Sequence, residues 1–170
     1  MAENIEIKAR VTDWEGLFQR AQAIADYGPE IIHQTDTFFH CKTGRLKLRV
    51  FKDGSGELIR YQRPDTTGPK TSDYEIYKSA DPASLKQLLT ASNGLRAVVI
   101  KERTLFLAGQ TRIHLDRVEG LGTFMELEVV LHDDQTTEEG QAIAEELMRV
   151  LKIESKDLID RAYVDLLEGS

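Results

Sequence analysis

Ionisable side chains recur at every second position in five separate stretches of this chain, and each stretch has one ionic set and one apolar set. Asn4, Glu6, Lys8 and Arg10 alternate with Ile5, Ile7, Ala9 and Val11, and Arg45, Lys47 and Arg49 alternate with Leu46, Leu48 and Val50. Lys101 and Arg103 repeat the spacing, Arg112, His114 and Asp116 enclose Ile113 and Leu115, and Glu126 and Glu128 stand opposite Leu127 and Val129. Residues two apart share one face of a β-strand, so these are strands with an ionic face. Grouped Lys and Arg suit a polyanion, and grouped carboxylates suit a hard divalent cation such as Mg²⁺, which bridges phosphate oxygens. Like charges about 6 Å apart repel by roughly 3 kcal/mol at an effective dielectric near 20, but by under about 1 kcal/mol in water. Such faces are therefore cheap on a solvated open sheet, and costly inside a closed one unless a counter-ion binds. Periodicity alone leaves both arrangements open.

The elements that must position these residues carry their own signals. Strands are expected near 3–11, 35–40, 45–52, 57–63, 72–77, 97–107, 110–119 and 123–132, from alternation and from β-branched and aromatic content. Asp53 to Gly56, Ala108-Gly109 and Gly120-Leu121-Gly122 read as turns. Three helices have start signals: a capping box of Thr12 and Glu15, the pair Asp81-Pro82, and a capping box of Thr136 and Glu139. Gly28-Pro29 and Asn93-Gly94 read as stops for the first two. The apolar stripes of these helices (Trp14, Leu17, Phe18, Ala21, Ile24 and Ala25; Leu85, Leu88 and Leu89; Ala142, Ile143, Leu147, Met148 and Leu151) read as core. The expectation is one α+β domain over residues 1–170, dominated by antiparallel strands.

Composition narrows the function. The chain has 170 residues with 29 acids against 22 bases, a net charge of -7, which argues against nucleic acid as a partner because phosphate-backbone binding needs a basic surface. No apolar run is long enough for a membrane span, the N-terminal residues lack a signal peptide's apolar region, and the lone Cys41 has no internal disulfide partner. A cytoplasmic location is expected. There is no GxxxxGK[ST] loop, no HExxH and no CxxC pair, which sets P-loop and zinc chemistry aside. His33, His40 and His132 are expected at the surface or at strand ends, Cys41 is incidental, and Glu138, Glu139, Glu145 and Glu146 fit a solvated helix face. His114 differs, sharing an ionic face with Arg112 and Asp116, where it is a candidate for substrate contact or proton transfer.

The same residues resemble the CYTH family, also called triphosphate tunnel metalloenzymes. Asn4-Ile5-Glu6-Ile7-Lys8 is similar to its opening Glu-x-Glu-x-Lys signature. QTDTFF (34–39), GRLKLR (44–49), VIKERTLF (99–106), TRIHLDRVEGLGTFMELEV (111–129) and Tyr163 follow in family order. The resemblance implies an eight-stranded antiparallel β-barrel forming a tunnel, with helices outside. It implies that Glu6, Glu126 and Glu128 bind Mg²⁺ or Mn²⁺, with Asp116 as a further ligand or neighbour. Lys8, Lys47, Arg49, Lys101, Arg103 and Arg112 match the cations that grip a triphosphate, and Lys8, Arg49, Arg112 and His114 are the candidate catalytic set. Tyr163 either closes a tunnel end or packs in the core.

Two departures stand out. Asn4 replaces the first acid of the signature, which weakens one metal position. Gln62 stands where many relatives carry a lysine, and Arg60 or Arg63 is a candidate to restore that charge. The implied reaction is that of a class IV adenylyl cyclase, converting ATP to cyclic AMP and pyrophosphate. The alternatives are hydrolysis of ATP, tripolyphosphate or thiamine triphosphate, and binding without turnover. Oligomeric state, a homodimer included, stays open.

Overall fold

Every stretch with alternating faces forms a strand. The structure, a computed structural model, describes residues 2–169. Along the chain run β1 (Ala2–Arg10), α1 (Trp14–Ile24), β2 (Tyr27–Phe39), β3 (Arg45–Phe51), β4 (Gly56–Gln62), β5 (Lys70–Ser79), α2 (Pro82–Asn93), β6 (Leu95–Ala108), β7 (Thr111–Val118), β8 (Gly122–Val130), α3 (Thr137–Leu151) and α4 (Tyr163–Glu168). The strands close into an antiparallel barrel in the order β1-β5-β4-β3-β2-β6-β7-β8. Closure leaves no unpaired edge, and it decides what periodicity could not: the ionic faces point inward.

On β1, β7 and β8 the apolar faces point outward and are covered. Ile5, Ile7, Ile113, Leu115, Met125, Leu127 and Val129 pack against Leu17 and Ala21 of α1 and Ala144 and Leu151 of α3. Burying a Leu or Ile side chain is worth about 1.5–3 kcal/mol, so this outer layer anchors the wall formed by β7, β8 and β1. Gly140 allows α3 to sit close, since a Cβ there would lie 2.6 Å from Ile5 Cγ1. The stripe of α2 is different. This helix lies across β2 and β3, Leu85 and Leu89 are half-buried, and Leu88 is 68% exposed. Ala142 of α3 is exposed as well.

Three local signals resolve differently from expectation. The first helix is capped by Asp13, whose side chain accepts from the Gly16 N–H at 3.1 Å, and Thr12 precedes the cap. Gly28-Pro29 does not end that helix, which stops at Ile24; it lies inside a β2 that begins eight residues earlier than its composition indicated. The β2–β6 register shifts between Tyr27 and Glu30, where Pro29 has no N–H to give the ladder. The third difference is α4, unmarked by any start motif. Its approach is pinned by the Ile159 N–H donating to Lys8 O. Ala162, Tyr163 and Val164 then form a second core with Phe38, Ile59, Tyr61, Val99 and Phe124, several of which face the barrel interior. Tyr163 thus closes one end of the barrel and packs in a core, both at once.

Candidate functional site

Inside the barrel lies a cavity of about 290 Å³. Lys8, Lys47, Arg49, Arg63, Lys101, Arg103 and Arg112 line it with Glu6, Asp36, Glu57, Glu126 and Glu128, so a locally basic chamber sits within an acidic chain. The ladder arranges these groups in rows. Arg112, Glu128 and Glu6 are register partners across β7, β8 and β1, and His114, Glu126 and Lys8 form the next row. On the far side, four places round the ring from β1, β2 carries Asp36 opposite Arg49 of β3. One wall therefore holds most of the carboxylates, and the opposite one most of the uncommitted positive charge.

Asp36 binds that opposite wall together. Its two oxygens accept from Arg49 Nε and Nη2 at 2.8 Å each, with Lys101 Nζ at 3.4 Å and Lys47 Nζ at 3.7 Å. Burial raises the Asp36 pKa, but Arg49, Lys101 and Lys47 outweigh it and hold the carboxyl well below the usual range. The lysines pay in the other direction: burial, with Arg49 and Arg103 respectively adding to it, pushes Lys47 and Lys101 down. Lys8 is pushed down to about 7, chiefly by burial, with Arg63 and Lys101 adding to it and Glu126 opposing. Lys8 Nζ stands 3.6 Å from Glu126 Oε1 and 3.9 Å above the Tyr163 ring.

On the acidic wall, burial works against Glu126 and Glu128, yet Lys8 and Arg103 keep Glu126 ionised and His114 and Arg112 keep Glu128 ionised. Glu6 is raised, because burial and its two glutamate neighbours exceed the help from Arg63, 3.7 Å away. Buried Glu6 and Glu126 flanking the half-buried Glu128 favour a cation among them. Ligand atoms of His114, Glu126 and Glu128 lie within 4.8 Å of one another, and the buried Asn4 Oδ1 beside them has no partner. That donor set fits a divalent metal.

The sequence-selected residues Glu6, Lys8, Lys47, Arg49, Lys101, Arg103, Arg112, His114, Glu126 and Glu128 all come together in this cavity. Asp116 stands apart from the metal-capable group. It is fully buried, its oxygens accept from Arg103 Nε and Nη2 at 2.7 Å each, and one also accepts from the Tyr163 hydroxyl at 2.8 Å. Its place is to fix Arg103. The charge absent at Gln62 is supplied by Arg63, which enters the cavity, while Arg60 turns outward to Thr43 and Glu75. Arg10 and Arg45 lie outside the lining, Arg45 being held by Asp65 and Asp165. Asp36 had no assigned role in the sequence. Its only signal was the alternation of Gln34, Asp36 and Phe38, blurred by Phe39 on the opposite face.

A closed barrel enclosing a basic chamber with one carboxylate wall defines a protein that takes up a polyanion together with a metal. The chain belongs to the CYTH family: the CYTH domain matches residues 2–163. It is similar to "Adenylate cyclase CyaB" of Aeromonas hydrophila, 23% identical over 98% of this chain and 89% of that protein. Among solved structures it resembles the PH1012 protein of Pyrococcus horikoshii OT3, with a TM-score of 0.84 and 23% identity, covering 96% of this chain and 98% of that one. It also resembles the putative adenylyl cyclase HpAC1 from Hippeastrum, described as revealing a dominant triphosphatase activity. That likeness has a TM-score of 0.69 at 16% identity and covers 98% of this chain and 95% of the other. This chain is an enzyme of that family, whose members handle triphosphates. Among the described residues no helix is long and apolar enough to cross a membrane.

Proposed function

We propose that this protein binds the triphosphate of a small molecule between its two walls, with a divalent metal, and hydrolyses it. The observation that carries the proposal is the enclosure of Lys47, Arg49 and Lys101 around the single carboxylate of Asp36, facing Glu126 and Glu128 across one chamber. Asp36 gives these cations one anionic partner where a phosphate chain offers several oxygens. Each charge-assisted hydrogen bond is worth about 1.5–3 kcal/mol. Glu126, Glu128 and Glu6 would hold the metal, which supplies charge neutralisation and orientation of phosphate oxygens.

In hydrolysis, water attacks a terminal phosphorus, the bridging P–O bond breaks, and the leaving phosphate oxygen takes the charge. Lys8, Arg49 and Arg112 are the groups assigned to stabilise that charge, by position and electrostatics fixed before the reaction begins. The chamber is small for a whole nucleotide. At about 290 Å³ it lies at the lower edge of the roughly 300–1,000 Å³ typical of sites for whole drug-sized ligands. A phosphate chain suits it, with an attached organic group left toward the mouth.

Cyclisation of ATP is the second reading, favoured by the likeness to a curated adenylate cyclase along nearly the whole chain. Phosphorus NMR with Mg²⁺ or Mn²⁺ and, separately, ATP, tripolyphosphate or thiamine triphosphate distinguishes the two. Orthophosphate release is the expected result. Pyrophosphate with a cyclic phosphodiester signal replaces hydrolysis with cyclisation. Resonances that shift or broaden without new products make the barrel a receptor.

A further inference from the structure

The carboxylate wall also holds two polar atoms with nothing to bond. Asn4 and His114 are only 4% and 5% exposed and line the cavity, yet Asn4 Oδ1 and His114 Nδ1 have no hydrogen-bond partner. A buried polar group left unpaired costs about 1–3 kcal/mol, so two of them together mark an incomplete site. The Asn4 amide is oriented by its own Nδ2, which donates to Glu128 Oε2 at 3.3 Å. His114 Nδ1 comes within 3.2 Å of Glu128 Oε1 without the alignment of a hydrogen bond. Ligand atoms of His114, Glu126 and Glu128 already lie within 4.8 Å of one another. An imidazole nitrogen and two carboxylates clustered on one wall, with an unpartnered amide oxygen beyond Glu128, form a ligand set.

We infer that this is a mixed nitrogen–oxygen metal site that selects a first-row transition ion such as Mn²⁺ over Mg²⁺. Glu126 and Glu128, with Glu6 beside Glu128, supply the charge and His114 Nδ1 an imidazole ligand, and the amide of Asn4 stands where its oxygen adds no charge. The inference rests on the metal-dependent triphosphate reading above and adds which ion the site takes. Mg²⁺ demands oxygen ligands and sheds water reluctantly. An amide where an acid is expected removes charge on which Mg²⁺ depends, and imidazole returns affinity that transition ions use far better. His114 then acts as a ligand, in place of carrying protons.

Pulsed EPR of the substrate-free protein with one equivalent of Mn²⁺ tests this without turnover. Imidazole-nitrogen modulation of the spin echo is expected in the wild type and is lost in His114→Gln. By titration calorimetry the wild type binds Mn²⁺ at least about tenfold more tightly than Mg²⁺. His114→Gln lowers Mn²⁺ affinity by no less than the roughly 10–100-fold that losing an outer-shell partner costs. Asn4→Asp narrows the preference from the other side, by strengthening Mg²⁺. Mn²⁺ bound without nitrogen modulation in the wild type overturns the His114 assignment and leaves the triphosphate reading standing. No divalent ion bound, with or without tripolyphosphate, removes both. The wild-type spectrum decides the ligand question even where a variant folds poorly.

Discussion

Asp36 and Lys8 show how single residues hold this chamber between ligands. Asp36 is 1% exposed and is the shared counter-ion of Arg49, Lys47 and Lys101. Removing one member of a buried ion pair typically costs about 3–5 kcal/mol. Asp36→Asn is therefore expected to lose stability of that order in urea denaturation, and saturating tripolyphosphate should restore more of it than it adds to the wild type. An equal gain in both proteins would mean that these cations do not meet the ligand. Lys8 contributes a pH dependence. Its pKa near 7 in the empty protein, against 10.5 when exposed, means that the unfolded chain binds more protons between those values. Its contribution thus makes the empty protein more stable as pH rises through that window. A bound phosphate chain favours the ammonium, so binding at pH 8 should take up a proton and weaken as pH climbs. Calorimetry in buffers of different ionisation enthalpy reads the uptake, and Lys8→Met should reduce it, the remainder coming from Lys47 and Lys101, which burial also pushes down.

At the scale of elements, the strands were legible because each carries its own alternation, and the chemistry lay on one parity of it. Lys47 and Arg49, or Glu126 and Glu128, needed no partner strand to be recognised as one face. Closure was legible only through the family resemblance and not from periodicity, because it depends on β1 finding both β5 and β8, contacts far apart in sequence. Of the C-terminal plug only Tyr163 was singled out, and its place is set by long-range contacts, with Asp116 and through the Lys8 carbonyl that receives Ile159. The early start of β2 was hidden by Gly28-Pro29, residues that punctuate most helices and strands. Helix starts were legible where one candidate stood alone: Asp81 caps α2, and Thr136 with Glu139 closes a capping box on α3. Before α1 the capping box of Thr12 and Glu15 was expected, and the structure instead uses its neighbour Asp13. Asp13→Ala should therefore cost about 0.5–2 kcal/mol, within the range for a lost N-cap, while Thr12→Ala should change stability by only a few tenths. Thermal denaturation of the two variants side by side checks this, and a larger loss in Thr12→Ala would reverse the assignment.

The whole molecule has to solve one conflict: a barrel needs a filled interior, and this interior is filled with charge. The outer layer under α1 and α3 and the plug at Tyr163 are apolar and dry, so the fold is secured around the chamber. The chamber itself satisfies its cations internally through Asp36, Asp116, Glu126 and Glu128 at the cost of depressed lysine pKa values. Such an interior gains from ligand more than an apolar one could. Ligand that binds only the native state at 100 times its Kd adds about 2.7 kcal/mol, and a chain of this size gains roughly 2–4 °C in Tm per kcal/mol. Tripolyphosphate with Mn²⁺ should raise Tm by about 5–10 °C under those conditions. Added salt should erode that shift much more than it lowers the Tm of the empty protein. The approaching polyanion is exposed to screening, whereas the ion pairs already inside the barrel are shielded from it. Equal losses with and without ligand would mean that charge does not drive the binding, and that the chamber's cations are not what holds the polyanion.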